Sequence, residues 1–243
     1  MSLSGRSGIV VGSTLALTAV GVLTHRLLQP DSQLLGRTLV AGSDPNELAF
    51  TYDDGPNDRY TMELLEIFNR FQARATFFMM GSYVRQRPEI ARAVHAAGHL
   101  VGNHTMTHPF LADKTLAFVR NEVRGCTELL EDTLGAPVRY FRAPYGARRP
   151  AVLREVREQG LVPVQWNVHG NDWDPVGAEG ILQRLERRMA PVRRKGHGVN
   201  LLLHDGFDKS LGADRSDTVR ATEILLAQAR EEGRSIVTVD AWG

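Results

Sequence analysis

Short apolar runs alternate with longer amphipathic runs along nearly the whole chain, and this alternation constrains the fold more than any other feature of the sequence. Residues 48–52, 75–80, 99–103, 138–141, 162–168, 199–203 and 236–239 are predicted strands, mostly closed by Gly, Pro or paired polar residues. Between them, residues 60–71, 88–97, 116–134, 150–159, 181–189 and 218–230 carry helical periodicity; in the first, Leu64, Leu65, Ile67 and Phe68 fall on one side. About seven β/α units of this kind specify a parallel sheet with helices outside it, either a barrel or a doubly wound layer. Periodicity leaves those two open. In both, right-handed crossovers bring the C-terminal ends of the strands to one face, where sites are built.

The polar residues gather at those ends. Asp53-Asp54 follows the first strand and His104-Thr105-Met106-Thr107-His108-Pro109 the third. Arg142-Ala143-Pro144-Tyr145, His169-Gly170-Asn171-Asp172-Trp173 and His204-Asp205 follow the next three. Each segment alone reads equally well as a turn or as surface polarity; their shared register on strand ends is what points to a site. Adjacent carboxylates inside a strand point to opposite faces. At a strand end, with Gly55-Pro56 bending the chain next, both can reach one mouth. One carboxylate and two neutral imidazoles leave open positions on a divalent first-row ion, as in catalytic rather than structural sites. Such an ion activates water, the second carboxylate can take the water's proton, and His204 can protonate a leaving group. That is a plan for hydrolysis of an amide or ester.

Composition narrows the alternatives. The 29 basic and 28 acidic side chains leave a net charge of +1, without the concentrated basic face that a nucleic-acid partner requires. A single cysteine, Cys126, excludes an internal disulfide and a cysteine-based zinc site, and its place in a helical pattern marks it as a small core residue. Residues 7–24 form an uncharged run of 18, flanked by Arg6 and by His25-Arg26, at the lower edge of a membrane span. We therefore expect residues 1–28 to be a signal-anchor or signal-like segment, 29–46 a linker, and 47–243 the catalytic domain, exported or membrane-anchored in the cell envelope. His95 and His99 flank Gly98 at a helix end, where a cationic side chain favours the helix dipole. The basic run from Arg193 to His197 and the Arg184, Glu186, Arg187, Arg188 group read as solvated surface.

The segments Thr51-Tyr52-Asp53-Asp54-Gly55, His104-Thr105-x-x-His108-Pro109, Arg142-x-Pro144-Tyr145, Asp172-Trp173 and Leu202-x-His204 occur in the order typical of polysaccharide deacetylases. The chain thus resembles the NodB-homology group, carbohydrate esterase family 4, over roughly residues 47–240. The resemblance implies a distorted, incomplete (β/α)7-type barrel that removes acetyl groups from a glycan. By position it implies that Asp54, His104 and His108 hold the metal, with zinc expected and cobalt or nickel as alternatives. It implies Asp53 as general base oriented by Arg142, His204 as general acid held by Asp172, and the Tyr145 backbone N–H as an oxyanion donor. Tyr145, Trp173 and Leu202 would line the pocket for the acetyl methyl and the sugar face. The expected substrate contains N-acetylglucosamine (peptidoglycan, a chitin-like oligomer or an exopolysaccharide). An O-acetyl esterase on a xylan-like glycan is the alternative within the enzyme class, and a catalytically silent carbohydrate-binding protein the alternative outside it. One position departs from the pattern: His169 stands where the fourth motif usually has Asp. It reads either as drift beside the site or as an altered network around His204. Tyr52 in place of the commoner Phe adds a hydroxyl.

Overall fold

The computed structural model describes residues 29–243, so the apolar run of residues 7–24 and the expectation of a leader over 1–28 lie outside the described residues. The elements are β1 (Glu47–Gly55), α1 (Tyr60–Phe71), β2 (Thr76–Met79), α2 (Gly81–Gln86), α3 (Pro88–Ala96), β3 (Leu100–Asn103), α4 (Leu116–Leu134) and β4 (Tyr140–Phe141). They continue with α5 (Pro150–Glu158), β5 (Val162–Pro163), β6 (Val168–His169), α6 (Gly177–Arg194), β7 (Val199–His204), α7 (Ser216–Glu231) and β8 (Ser235–Val237). Every strand pair is parallel, in the order β5-β4-β3-β2-β1-β7-β6, with β8 added beside the start of β1. This is a distorted, incomplete (β/α) barrel, which settles the choice between barrel and wound layer.

The incompleteness has a local cause. Residues 162–168, expected as one strand, split into β5 and β6, which pair at opposite edges of the sheet with β4 and β7. Val162 and Val164 N–H still donate to Arg139 O and Phe141 O on the β4 side, while on the opposite side Leu39 N–H donates to Pro163 O and Gln165 N–H to Leu39 O. Past Val164 the chain leaves β4, and Asn167 N–H donates to Asn200 O of β7. The segment thus spans the gap between the two edges, and residues 39–40 close it from outside. Asn200 stitches the gap, its amide Nδ2 donating to Val40 O at 2.8 Å and to Gln165 O at 2.9 Å.

Alternation along β1 sorts the core into two environments. Phe50 and Tyr52 face the helices, where both rings pack edge-on against Phe68 of α1 and the Tyr52 hydroxyl meets Thr222 Oγ1 of α7 at 2.8 Å. Burying a ring such as Phe68 contributes about 1.5–3 kcal/mol. Thr51, the residue between them, faces the barrel interior and donates to Leu201 O. The helices end as their sequences dictate: the Thr115 hydroxyl caps α4 by accepting from Phe118 N–H, and Gly135, at φ 65°, closes it in the left-handed region. Cys126 is fully buried in α4. His99 is not a dipole partner. It is buried edge-on against Phe68 and Phe77, and its Nδ1 accepts from Ala75 N–H. Burial, with Arg74 nearby, pushes its pKa down to about 4. Arg184 and Arg188 are likewise more than exposed helix surface, since they hold the loop after β6 through Asp174 and His169. Among the described residues no helix is long and apolar enough to cross a membrane.

Because Asn200 satisfies two buried carbonyls at once, Asn200→Ala is expected to lower the unfolding free energy by about 2 kcal/mol, read from the urea midpoint at unchanged slope.

Candidate active site

Strand geometry by itself would put Asp53 inside the barrel and Asp54 outside it. The sheet register slips between Asp53 and Gly55 against β2, and Asp54 sits at φ 70°, so a bulge turns the second carboxylate back toward the first. The strand runs on through both aspartates to Gly55, so the bulge, rather than the turn after it, brings them together. Gly206 allows the close approach that this needs: a Cβ there would lie 1.9 Å from Asp54 O. Thr105, His108 and Tyr145 also hold left-handed φ values of 69°, 60° and 57°. Such strain in residues other than glycine persists where packing over-determines it, and here it is concentrated around one cavity.

Asp54, His104 and His108 present ligand atoms that all lie within 4.8 Å of one another. Asp54 Oδ1 is 3.3 Å from His104 Nε2 and 3.1 Å from His108 Nε2. His104 Nδ1 lies 2.8 Å from Arg142 O, and a carbonyl only accepts, so in the neutral imidazole Nδ1 carries the proton and Nε2 presents a lone pair. Asp54 Oδ1 is buried and has no hydrogen-bond donor. A buried anionic oxygen between imidazole nitrogens, with open space in front, is the donor set that fits a divalent ion with free coordination positions.

The other residues flank this triad. Arg142 is fully buried under the cavity floor, stacked 4.1 Å from the Phe78 ring centroid. Its Nη1 donates to Asp53 Oδ1 at 2.8 Å and to Thr51 Oγ1 at 2.7 Å, which fixes Asp53 with Oδ2 3.7 Å from His104 Nε2. Across the cavity, His204 Nδ1 meets Asp172 Oδ1 at 2.8 Å, while the His204 backbone N–H and the Thr218 hydroxyl donate to Asp172 Oδ2. Burial would lower the His204 pKa, but the Asp172 carboxylate overrides it and raises it to about 9. His169 does not join this network. Its Nδ1 meets Arg188 Nη1 at 2.8 Å, and its ring stacks on Trp173 at 6.0 Å between centroids. Trp173 in turn stands edge-on to His204 at 5.3 Å.

The sequence model of the family described as polysaccharide deacetylase matches residues 41–164. The chain belongs to that family. It is therefore a hydrolase of the deacetylase class. A peptidoglycan-N-acetylglucosamine deacetylase of Bacillus cereus is 34% identical over 79% of this chain and 85% of its own length. A chitooligosaccharide deacetylase of Azorhizobium caulinodans is 34% identical over 82% and 96%. The crystal structure of a peptidoglycan N-acetylglucosamine deacetylase bound to 4-naphthalen-1-yl-N-oxidanyl-benzamide superposes with a TM-score of 0.76, at 28% identity, over 84% of this chain and 91% of that one.

In this deacetylase the site opens into a cavity of about 380 Å³, within the range of small-molecule sites. Asp53, Asp54, His104, His108 and His204 line it, with Tyr145, Trp173 and Leu202. Two larger clefts, of about 880 Å³ and 550 Å³, hold none of these residues. Asp172 stands behind His204, and Asp205 is turned away from the cavity, its carboxyl against the Thr61 hydroxyl and burial pushing it up to about 7. Trp166, Phe207, Asp208 and Arg215 complete the lining and were not singled out from the sequence. Trp166 was hidden in the stretch read as a single strand. Asp208 was within reach, as it follows His204 by four residues.

Asp172→Asn removes the charge that keeps His204 protonated. The alkaline limb of kcat/KM, set by loss of the His204 proton near pH 9, is expected to move to lower pH by about 1–3 pH units, read from a pH–rate profile.

Proposed function

We propose that the chain removes N-acetyl groups from N-acetylglucosamine units of a polysaccharide (peptidoglycan, a chitin-like oligomer or an exopolysaccharide), using a divalent ion, zinc first, held by Asp54, His104 and His108. One observation carries the reading: the donor-less Asp54 oxygen between two imidazoles stands between an Arg-held carboxylate and an Asp-held imidazole. The named relatives act on glycans of this class, which supports the substrate. The uncharged run of residues 7–24 supports export or membrane attachment, which would bring the enzyme to such a glycan.

The ion, when bound, supplies Lewis-acid chemistry: it lowers the pKa of water toward neutrality and polarises the acyl oxygen. The protein supplies the rest. Asp53, its Oδ1 held by Arg142, accepts a proton on Oδ2 from the attacking water, whose oxygen bonds to the acetyl carbon. Negative charge then gathers on the acyl oxygen. The Tyr145 N–H, presented by the tight turn Pro144–Gly146, donates to it. His204, held cationic by Asp172, gives its proton to the sugar nitrogen as the carbon–nitrogen bond breaks. Acetate and a free amine result. Leu202 and Trp173 offer apolar surface for the methyl and the sugar ring. The complete acid and base argue against a silent binding protein, which has no use for either.

The test is acetate release from N-acetylglucosamine oligomers by the native chain and by Asp53→Asn. Turnover is expected to fall about 10²- to 10⁴-fold in the variant with zinc content and glycan affinity unchanged. Equal turnover, or loss of the zinc with the carboxylate, contradicts the role given to Asp53.

A further inference from the structure

Both imidazoles of the triad expose Nε2 to Asp54, but only one has an evident reason to do so. His104 is locked by Arg142 O on its Nδ1. His108 Nδ1 is buried without an aligned hydrogen bond, and the acceptor it faces is Asp208 Oδ2, 3.4 Å away. The same oxygen accepts from the Tyr145 hydroxyl at 3.0 Å. The Tyr145 ring closes the arrangement, packing edge-on to His108 at 4.7 Å.

We infer that Asp208 is a positioning residue that serves the metal ligand and the oxyanion donor together: its carboxylate orients His108 through Nδ1 and latches Tyr145 across the mouth of the cavity. The inference rests on the metal-dependent reading proposed above. An imidazole ligand oriented by a carboxylate on its other nitrogen is a more basic and better-aimed donor, and losing such a partner typically costs 10- to 100-fold in metal affinity. The latch has a second consequence. Tyr145 holds a left-handed φ of 57° and is 62% exposed, its ring meeting His108 and Phe110, and the hydrogen bond to Asp208 ties the side chain of this exposed residue to the far side of the cavity.

The loop that carries Asp208 is itself fixed. The Tyr83 hydroxyl donates to Phe207 O at 2.8 Å, and Arg215 Nε donates to Gly206 O at 2.6 Å. Gly206 presses against the Asp54 carbonyl. The carboxylate is therefore held in place relative to the strand that supplies the first ligand, and its side chain is only 15% exposed.

Zinc affinity measured by chelator competition on the full chain reads the first role without any turnover. Asp208→Ala is expected to bind zinc 10- to 100-fold more weakly, with an unchanged melting temperature of the metal-free protein. Tyr145→Phe, which removes only the latch, is expected to keep native zinc affinity and to lower kcat at constant KM. In the Asp208→Ala background, Tyr145→Phe is expected to have no further effect on kcat. Native zinc affinity in Asp208→Ala, or additive losses in the double variant, overturns the inference. A native chain that binds zinc but releases no acetate from any acetylated glycan overturns the proposed function instead, and the affinity of Asp208→Ala still decides the orientation of His108.

Discussion

The site depends on one irregular residue. A regular β1 would send Asp53 inward and Asp54 toward the helices that receive Phe50 and Tyr52. The bulge at Asp54 puts two carboxylates on the same side of a parallel sheet at consecutive positions. The remaining architecture keeps that irregularity in place: β2 and β7 pair with β1 on either side, and Gly206 lies against the bulged carbonyl. A left-handed aspartate is costly by itself and is sustained here by strands buried along nearly their whole length.

Two carboxylates side by side would share a proton if their surroundings were alike. Their surroundings differ. Asp54 faces two imidazole nitrogens and has no donor of its own, while Asp53 is bound by a guanidinium buried between aromatic rings. A third carboxylate, Asp172, lies outside the cavity lining and holds His204, with the Thr218 hydroxyl donating to its other oxygen. Three aspartates thus receive three tasks from their partners, and the histidines are sorted in the same way. His104 and His108 present Nε2 to Asp54, His204 is kept cationic by Asp172, and His99 is kept neutral by burial.

The sequence carried the barrel and the convergence of strand ends because both follow from periodicity: alternating β/α units permit few topologies, and strand C-termini share a face. Asp53, Asp54, His104, His108 and His204 could therefore be assembled around one mouth without coordinates. What escaped depended on backbone detail or on contacts between loops. The bulge leaves no trace in a pattern that reads as a strand followed by a turn. The departure from β4 after Val164 is masked by Val162, Val164 and Val168, which read as one alternating strand. His169 reads from sequence either as drift beside the site or as an altered network around His204; it pairs with Arg188, a residue 19 positions away that no local pattern connects to it. Asp208 matters only through its contacts with His108 and Tyr145, residues 100 and 63 positions distant in the chain.

We propose that a single divalent ion in the Asp54–His104–His108 cluster makes the site a hydrolase. Titrating chelator-stripped protein with zinc while following acetate release from an N-acetylglucosamine oligomer is the decisive measurement. Negligible release from the stripped protein and full release at one equivalent of zinc are expected. Release that survives stripping undiminished, or that returns only with a second equivalent, rules out a single ion at this cluster as the source of the activity.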